Sequence, residues 1–200
     1  MAATTLRCLI LGRDPSGESH QLLTFLNPTE GLLRCLLRVQ RNTKATQPDL
    51  FDEGEISLEP AKDGGTRFAR EYRLLTRQLG IARQHRSLER ASRLANLVRK
   101  NPPPPESSEV CYQIIFETFA AMAQRPRPDA AYFKGLWLML KDGGWPVHEH
   151  WFLRLGNAQK DAAAVLSQPL DAQSVAESTI ATLTNDLEQW ATQEAHFVLP

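Results

Sequence analysis

The hydrophobic period of this chain changes near residue 80, from two to about 3.6. No single fold layer accommodates both periods, so the chain must place strands first and helices after them. "TLRCLILG" is a short apolar run, the turn signal "DPSGE" follows it, and "HQLLTFL" comes next. In "GLLRCLLRV" a two-residue period puts Leu33, Cys35, Leu37 and Val39 on one face and Leu32, Arg34, Leu36 and Arg38 on the other. "GEISLEP" alternates Ile56 and Leu58 with Glu55, Ser57 and Glu59. "GTRFAREYRLL", after a "KDGG" turn, reads as a fifth strand, although its arginines at 67, 70, 73 and 77 equally suit a helix. Short strands joined by turns predict a small closed or partly closed β-barrel over residues 1–79.

Residues 80–200 carry helical spacing. In "RQHRSLERASRLANLVRK" the period puts Arg83, Arg86, Arg90 and Arg93 on one helix face and Leu88, Ala91, Leu94, Ala95 and Val98 on another. "NPPPP" at 101–105 ends that helix, because proline has no backbone donor and restricts the residue before it. "ESSEVCYQIIFETFAAMAQ" starts the next, and "RPRPD" stops it. "DAAYFKGLWLMLKDGG" takes Asp129 as N-cap, buries Phe133, Leu136, Trp137 and Leu140, and ends at Gly143 and Gly144. "NAQKDAAAVLSQ" gives a short helix. A last one, from near Asp171, buries Ala176, Ile180, Leu183, Leu187 and Trp190. The fold class is α+β, a β-barrel domain at 1–79 followed by an all-α domain at 80–200.

The formal net charge of zero hides an asymmetry. Residues 1–60 hold six basic and eight acidic side chains, residues 61–100 eleven and three, and residues 101–200 six and twelve. A net +8 within 40 residues is a footprint that a polyanion can use. No apolar run approaches the roughly 20 residues of a membrane span, and the first residues do not resemble a secretory signal. Three scattered cysteines (Cys8, Cys35, Cys111) fit a reducing, cytoplasmic setting and supply no Cys-x-x-Cys zinc pair.

Enzyme motifs are missing. Ser19 and His20 are adjacent, which on a strand sends them to opposite faces and excludes a Ser–His nucleophile pair. The acidic group in "DLFDEGE" lacks calcium-loop spacing and reads as a turn between strands. No Gly-rich phosphate loop occurs. "GGWPVHEHWF" offers His148 and His150 on one face if it is a strand, but a metal site needs further ligands. A loop with packed Trp145 and Trp151 and solvated imidazoles is the alternative. The expectation is a non-enzymatic protein with no cofactor and no metal site.

Basic side chains carry more information. Arg34 and Arg38 share a strand face, and Arg41 and Lys44 follow them, so a small barrel would present a salt-sensitive phosphate-binding surface. Arg67, Arg70, Arg83, Arg86, Arg90 and Arg93 would extend it as a basic track. Few aromatics interleave: Phe25, Phe51, Phe68 and Tyr72 are the barrel candidates, and most belong in the core.

"SGESHQLLTFLNPTEGLLRCLLRVQR" resembles the first hairpin region of the bacterial recombination mediator RecO family, through Gly17, Glu18, Leu22, Leu23, Thr24, Phe25, Thr29, Glu30 and Gly31. "QPDLFDEGEISL" and "FAREYRLL", with Glu71 at its centre, are similar to that family's following strands. "YFKGLWLMLKDGGWP" is similar to the helix preceding its zinc insert, and "LEQWATQEAHFVLP" to its closing helix. Val39 stands where the family's basic turn has a glycine, and its four-cysteine cluster is absent, so no structural zinc is expected. The resemblance implies an OB-fold barrel followed by a helical domain. It further implies binding to single- and double-stranded DNA, strand annealing, and loading of recombinase in DNA repair. Its implied partners are a RecR-like ring protein and the C-terminal tail of single-strand-binding protein. Two other readings remain open at this stage. One is an adaptor of the same fold that binds an acidic peptide tail on the basic track, and the other a metal-dependent enzyme at the "HEH" segment.

Overall fold

A computed structural model describes residues 4–39, 46–59 and 66–200. The chain divides into two compact units, Met1–Gln78 with Pro102–Tyr112, and Leu79–Asn101 with Gln113–Pro200. The first division falls one residue before the expected 79/80 boundary, but the segment after the first long helix returns to the barrel unit.

Five strands build the first unit: β1 (Thr4–Ser16), β2 (His20–Asn27), β3 (Gly31–Arg38), β4 (Glu53–Leu58) and β5 (Arg67–Thr76). They close into a barrel in the order β1-β2-β3-β5-β4. All neighbours are antiparallel except β3 and β5, whose parallel pairing covers only Cys35–Arg67, Leu36–Phe68 and Leu37–Ala69. Alternation along each strand sends Leu6, Cys8, Ile10, Leu23, Phe25, Cys35, Leu37, Ile56 and Leu58 inward as one core. Burial of these side chains supplies the main driving force for closure. β1 runs through the expected "DPS" turn and ends at Ser16, its register shifting between Ile10 and Gly12. The turn therefore comes later, with Gly17 at φ 67°, a left-handed conformation that suits glycine. Val39, expected inward, is 41% exposed because it lies just past the end of β3. Between β2 and β3, the Asn27 carboxamide oxygen accepts from the Thr29 and Glu30 amides, and its nitrogen donates to the Arg7 carbonyl.

"GTRFAREYRLL", whose arginines suit a helix as well as a strand, forms β5. A register shift between Ser57 and Leu58 lets Arg70 and Glu71 both face outward, so Arg70 and Arg73 point out although they are three residues apart.

The helical elements are α1 (Leu79–Arg83), α2 (His85–Lys100), α3 (Ser108–Gln124), α4 (Pro128–Asp142), α5 (Val147–His150), α6 (Gln159–Ser167) and α7 (Glu177–Glu194). Leu94, Ala95 and Val98 of α2, Phe133, Leu136 and Leu140 of α4, and Ile180, Leu183 and Leu187 of α7 are buried in the helical unit. Inside it, Glu188 is 3% exposed and accepts from Arg93 (2.8 and 2.5 Å) and from the Tyr132 hydroxyl (2.6 Å).

Several expected boundaries move. Gln84 is extended (φ −128°, ψ 119°), so the helix breaks there and Arg83 does not share a helix face with Arg86, Arg90 and Arg93. Leu88 is 37% exposed, and Ser87 is buried in its place. Pro128 opens α4 with Arg127 before it; Asp129 sits inside the first turn and pairs with Arg127 rather than capping. α7 begins at Glu177, which leaves Ala176 exposed and Val175 buried. The "VHEH" segment is one helical turn, neither a strand nor a loop.

Candidate nucleic-acid interface

The outward faces of β2, β3 and β5 line up in register. His20 stands opposite Arg38 and Leu22 opposite Leu36, with Leu36 level with Phe68 on β5; Thr24, opposite Arg34, is fully buried, so the open part of the β2 face ends before it. The pairing of β3 with β5 ends at Leu37 and Ala69, and Arg38 and Arg70 are the next residue on each strand. The result is a half-buried apolar strip, Leu22–Leu36–Phe68, with guanidinium groups on both sides. Phe68 is 44% exposed, and the His20 ring meets it edge-on at 5.9 Å and 76°. Phe25 and Phe51 are buried and Tyr72 packs against the core, so Phe68 is the barrel aromatic that a base could reach.

The basic side chains fall into three groups. Arg34 and Arg38 are exposed on β3 and form no ion pair among the described residues; Arg83, exposed at the end of α1, is like them. Arg67 pairs with Glu30 (3.3 Å), Arg70 with Glu59 (2.7 Å) and Arg86 with Glu177, all with both partners well exposed. Such pairs contribute about 0–1 kcal/mol and can exchange for a phosphate. Arg77 and Arg93 are committed to the buried carboxylates of Asp52 and Glu188. Hydrogen bonds to those carboxylates hold both guanidinium groups above their ordinary pKa. Arg90 lies over the Tyr132 ring at 5.7 Å. Arg93 is thus a structural residue, and the expected track of Arg83, Arg86, Arg90 and Arg93 is not one uniform cationic row. Arg41 and Lys44 lie outside the described residues.

The acidic group after β3 is not a solvated turn. Asp52 and Glu53 are buried acceptors for Arg77 and Arg7, while Asp49 pairs with Arg13 (2.6 Å) and Glu55 with Arg73 (2.6 Å). Much of the barrel's basic charge is therefore consumed internally, and Arg34 and Arg38 stand out as the remainder. The Ser19 hydroxyl does meet His20 Nδ1, at 3.0 Å, because Ser19 lies in the turn where strand parity no longer applies. The pair is exposed, and no carboxylate bonds to His20 among the described residues. His148 and His150, two apart on a helical turn, point about 200° apart. His148 stacks on Phe152 at 5.3 Å, and Trp151 donates to Asp186 at 2.7 Å. Trp151 is buried, whereas Trp145 is half-buried and edge-on to Phe197. Among the described residues no group of three or more His, Cys, Asp or Glu is placed to hold a metal ion, and no helix is long and apolar enough to cross a membrane.

No family model and no curated protein matches this chain.

Nothing in the local sequence places His20 on the basic surface. Its partner Phe68 lies 48 residues away, and only the strand register brings them together.

Proposed function

We propose that this chain is a non-enzymatic, DNA-binding recombination mediator of the RecO kind. Its barrel serves as an OB-fold that holds single-stranded DNA across the outer faces of β2, β3 and β5. The observation that carries the reading is the juxtaposition of Arg34 and Arg38, which form no ion pair among the described residues, with exposed Phe68 and its half-buried neighbour His20. Guanidinium groups neutralise phosphates, and an exposed ring offers a base a stacking surface. The strand order and the parallel closure between β3 and β5 support the OB-fold assignment, and in such barrels the face of strands 2 and 3 receives oligonucleotides. The resemblance of "SGESHQLLTFLNPTEGLLRCLLRVQR" to RecO sequences adds strand annealing and recombinase loading. It also adds double-stranded DNA, a RecR-like ring protein and the tail of single-strand-binding protein as partners. Fluorescence anisotropy with a labelled single-stranded oligonucleotide tests the reading. Binding should weaken steeply with salt and fall for Arg34→Glu/Arg38→Glu; absence of binding at low salt, or binding without a salt slope, refutes it.

A second reading rests on the helical unit. A cleft of about 510 Å³ is lined by Arg86, Arg90, Pro126 and Pro128, with Glu177 paired across to Arg86. Glu89 and Asp129 line it as well, so an acidic peptide tail would have to displace Glu177 from Arg86 and bind the two guanidinium groups against that remaining negative charge. Charge reversal at Arg86 and Arg90 separates the readings: loss of tail-peptide binding with unchanged oligonucleotide affinity favours an adaptor.

A further inference from the structure

Phe68 projects from the basic face of the barrel and is 44% exposed. A ring so exposed changes rotamer freely unless a neighbour holds it, and every side chain that binding must immobilise weakens association. Phe68 has such a neighbour. Its ring and the His20 imidazole meet edge to face, with centroids 5.9 Å apart and planes at 76°, a geometry that aromatic pairs prefer. His20 is held in turn, because its Nδ1 shares a hydrogen bond of 3.0 Å with the Ser19 hydroxyl. Ser19 is anchored through its backbone. Its carbonyl accepts from the Val39 amide at 2.8 Å, one step beyond the β2–β3 ladder, which ends at His20 and Arg38. A continuous run of contacts therefore leads from the end of β3, through the β1–β2 turn, to Phe68 on β5.

We infer that His20 is a positioning residue for Phe68: it sets the ring in the attitude in which a base of a bound strand stacks on it, and Ser19 orients the imidazole. The inference rests on the DNA-binding reading of this face. A ring already fixed loses less freedom when a base stacks on it, so the His20 contact raises affinity for base-bearing strands without touching the nucleic acid. Nothing in this role depends on charge. His20 also lines a cleft with Arg13, Asp14, Glu18 and Asp49, where charges of both signs give a phosphate no uniform surface. Phosphate binding stays with Arg34 and Arg38, and His20 acts on the base through Phe68.

A pair of variants in the full chain, His20→Ala and His20→Phe, tests this role. His20→Ala removes the ring contact and should weaken binding of a single-stranded oligonucleotide about three- to tenfold, the value of immobilising one side chain. An abasic strand of equal length should bind this variant as it binds the parent, because the phosphate contacts are untouched. His20→Phe keeps an aromatic ring against Phe68 but has no imidazole, and it should retain the parent's affinity for both strands. Ser19→Ala should act in the direction of His20→Ala, more weakly. Adding His20→Ala to Phe68→Ala should weaken binding no further, since the ring to be positioned is gone. A second arm needs no nucleic acid. Three-bond couplings that report the Phe68 side-chain torsion in the free protein should show one rotamer in the parent and in His20→Phe, and averaging in His20→Ala. Equal losses on both strands for His20→Ala would make His20 a phosphate contact instead, and no loss on either would make it inert. Either result, or His20→Phe as damaging as His20→Ala, or an unaveraged Phe68 torsion in His20→Ala, overturns the positioning role. If the parent binds neither strand at low salt, the DNA reading fails, while the torsion measurement still decides whether His20 fixes the ring.

Discussion

Arg7 and Glu53 form a bidentate-donor pair in which the Arg7 Nε and Nη2 atoms both reach Glu53 Oε1, at 2.8 and 2.5 Å. The pair is unequal, with the Arg7 side chain 55% exposed and Glu53 only 4%. The same carboxylate accepts from the Tyr112 hydroxyl (3.0 Å) and from Thr76 (3.0 Å). It thereby ties the first turn of α3 and the end of β5 to the barrel. Removing Arg7 leaves a buried carboxylate with only neutral donors, whereas removing Glu53 leaves an arginine that water can solvate. Arg7→Ala should therefore lower stability by about 3 kcal/mol and Glu53→Ala by about 2 kcal/mol. The double variant should be no worse than Arg7→Ala alone, a non-additivity that urea denaturation would read directly.

Gly80 and Gly54 should both refuse a methyl group, for different reasons. A Cβ on Gly80 would stand 1.9 Å from the Ala123 carbonyl oxygen, which is backbone and cannot rotate away. On Gly54 it would meet the Tyr72 ring at 2.5 Å and the Arg73 carbonyl oxygen at 2.8 Å, a less severe overlap with backbone than at Gly80. Gly80→Ala should lower stability by about 3 kcal/mol or more, and Gly54→Ala by about 2 kcal/mol. Thermal melts of the two variants should rank them in that order.

The barrel was legible in the sequence wherever one face of a strand is buried and the other wet. The Glu55–Glu59 alternation is the plain case, and the structure keeps Ile56 and Leu58 inside. β5 was ambiguous for a physical reason: its bulge gives Arg70 and Arg73 the three-residue spacing of a helix face. The break at Gln84 carries no glycine or proline, so local sequence does not announce it. "VHEH" is too short for any period to show. The site was half legible. Arg34 and Arg38 could be placed on one face by parity alone. That Arg70 is paired with Glu59, that Arg93 is bound to a buried glutamate, and that His20 meets Phe68 are long-range facts set by register and helix packing.

The three groups of arginine should separate in salt titrations. Each lost phosphate contact lowers the slope of log affinity against log salt by about one. Arg34→Ala/Arg38→Ala should lower it by about two. Arg93→Ala should leave the slope unchanged while destabilising the fold, since its guanidinium is held by Glu188 and Glu188 would be left buried. Loss of slope on removing Arg93 would mean that the helical unit offers phosphates a surface on which Arg93 takes part.

Alkaline pH should weaken the barrel. Burial pushes the Cys8 thiol up to about 12, with Cys35 adding to the effect, and burial pushes Cys35 up to about 12 as well. Both lie in the core at 0% exposure. A thiol whose folded pKa exceeds its unfolded value keeps its proton in the native state while the unfolded chain loses one. Stability from this source is intact below the unfolded pKa near 9 and falls as pH rises from there toward 12. Each thiol should contribute a slope of about 1.4 kcal/mol per pH unit within that window. Burial also raises the Tyr72, Tyr112 and Tyr132 hydroxyls, so the decline should steepen above about pH 10, where unfolded tyrosine begins to ionise. Urea midpoints measured from pH 8 to 11 should show this downward curve, and Cys8→Ala should flatten its first part relative to the parent protein. A thiol reagent at pH 8 should label Cys8 and Cys35 only as fast as the barrel opens, because neither is accessible nor ionised in the native state.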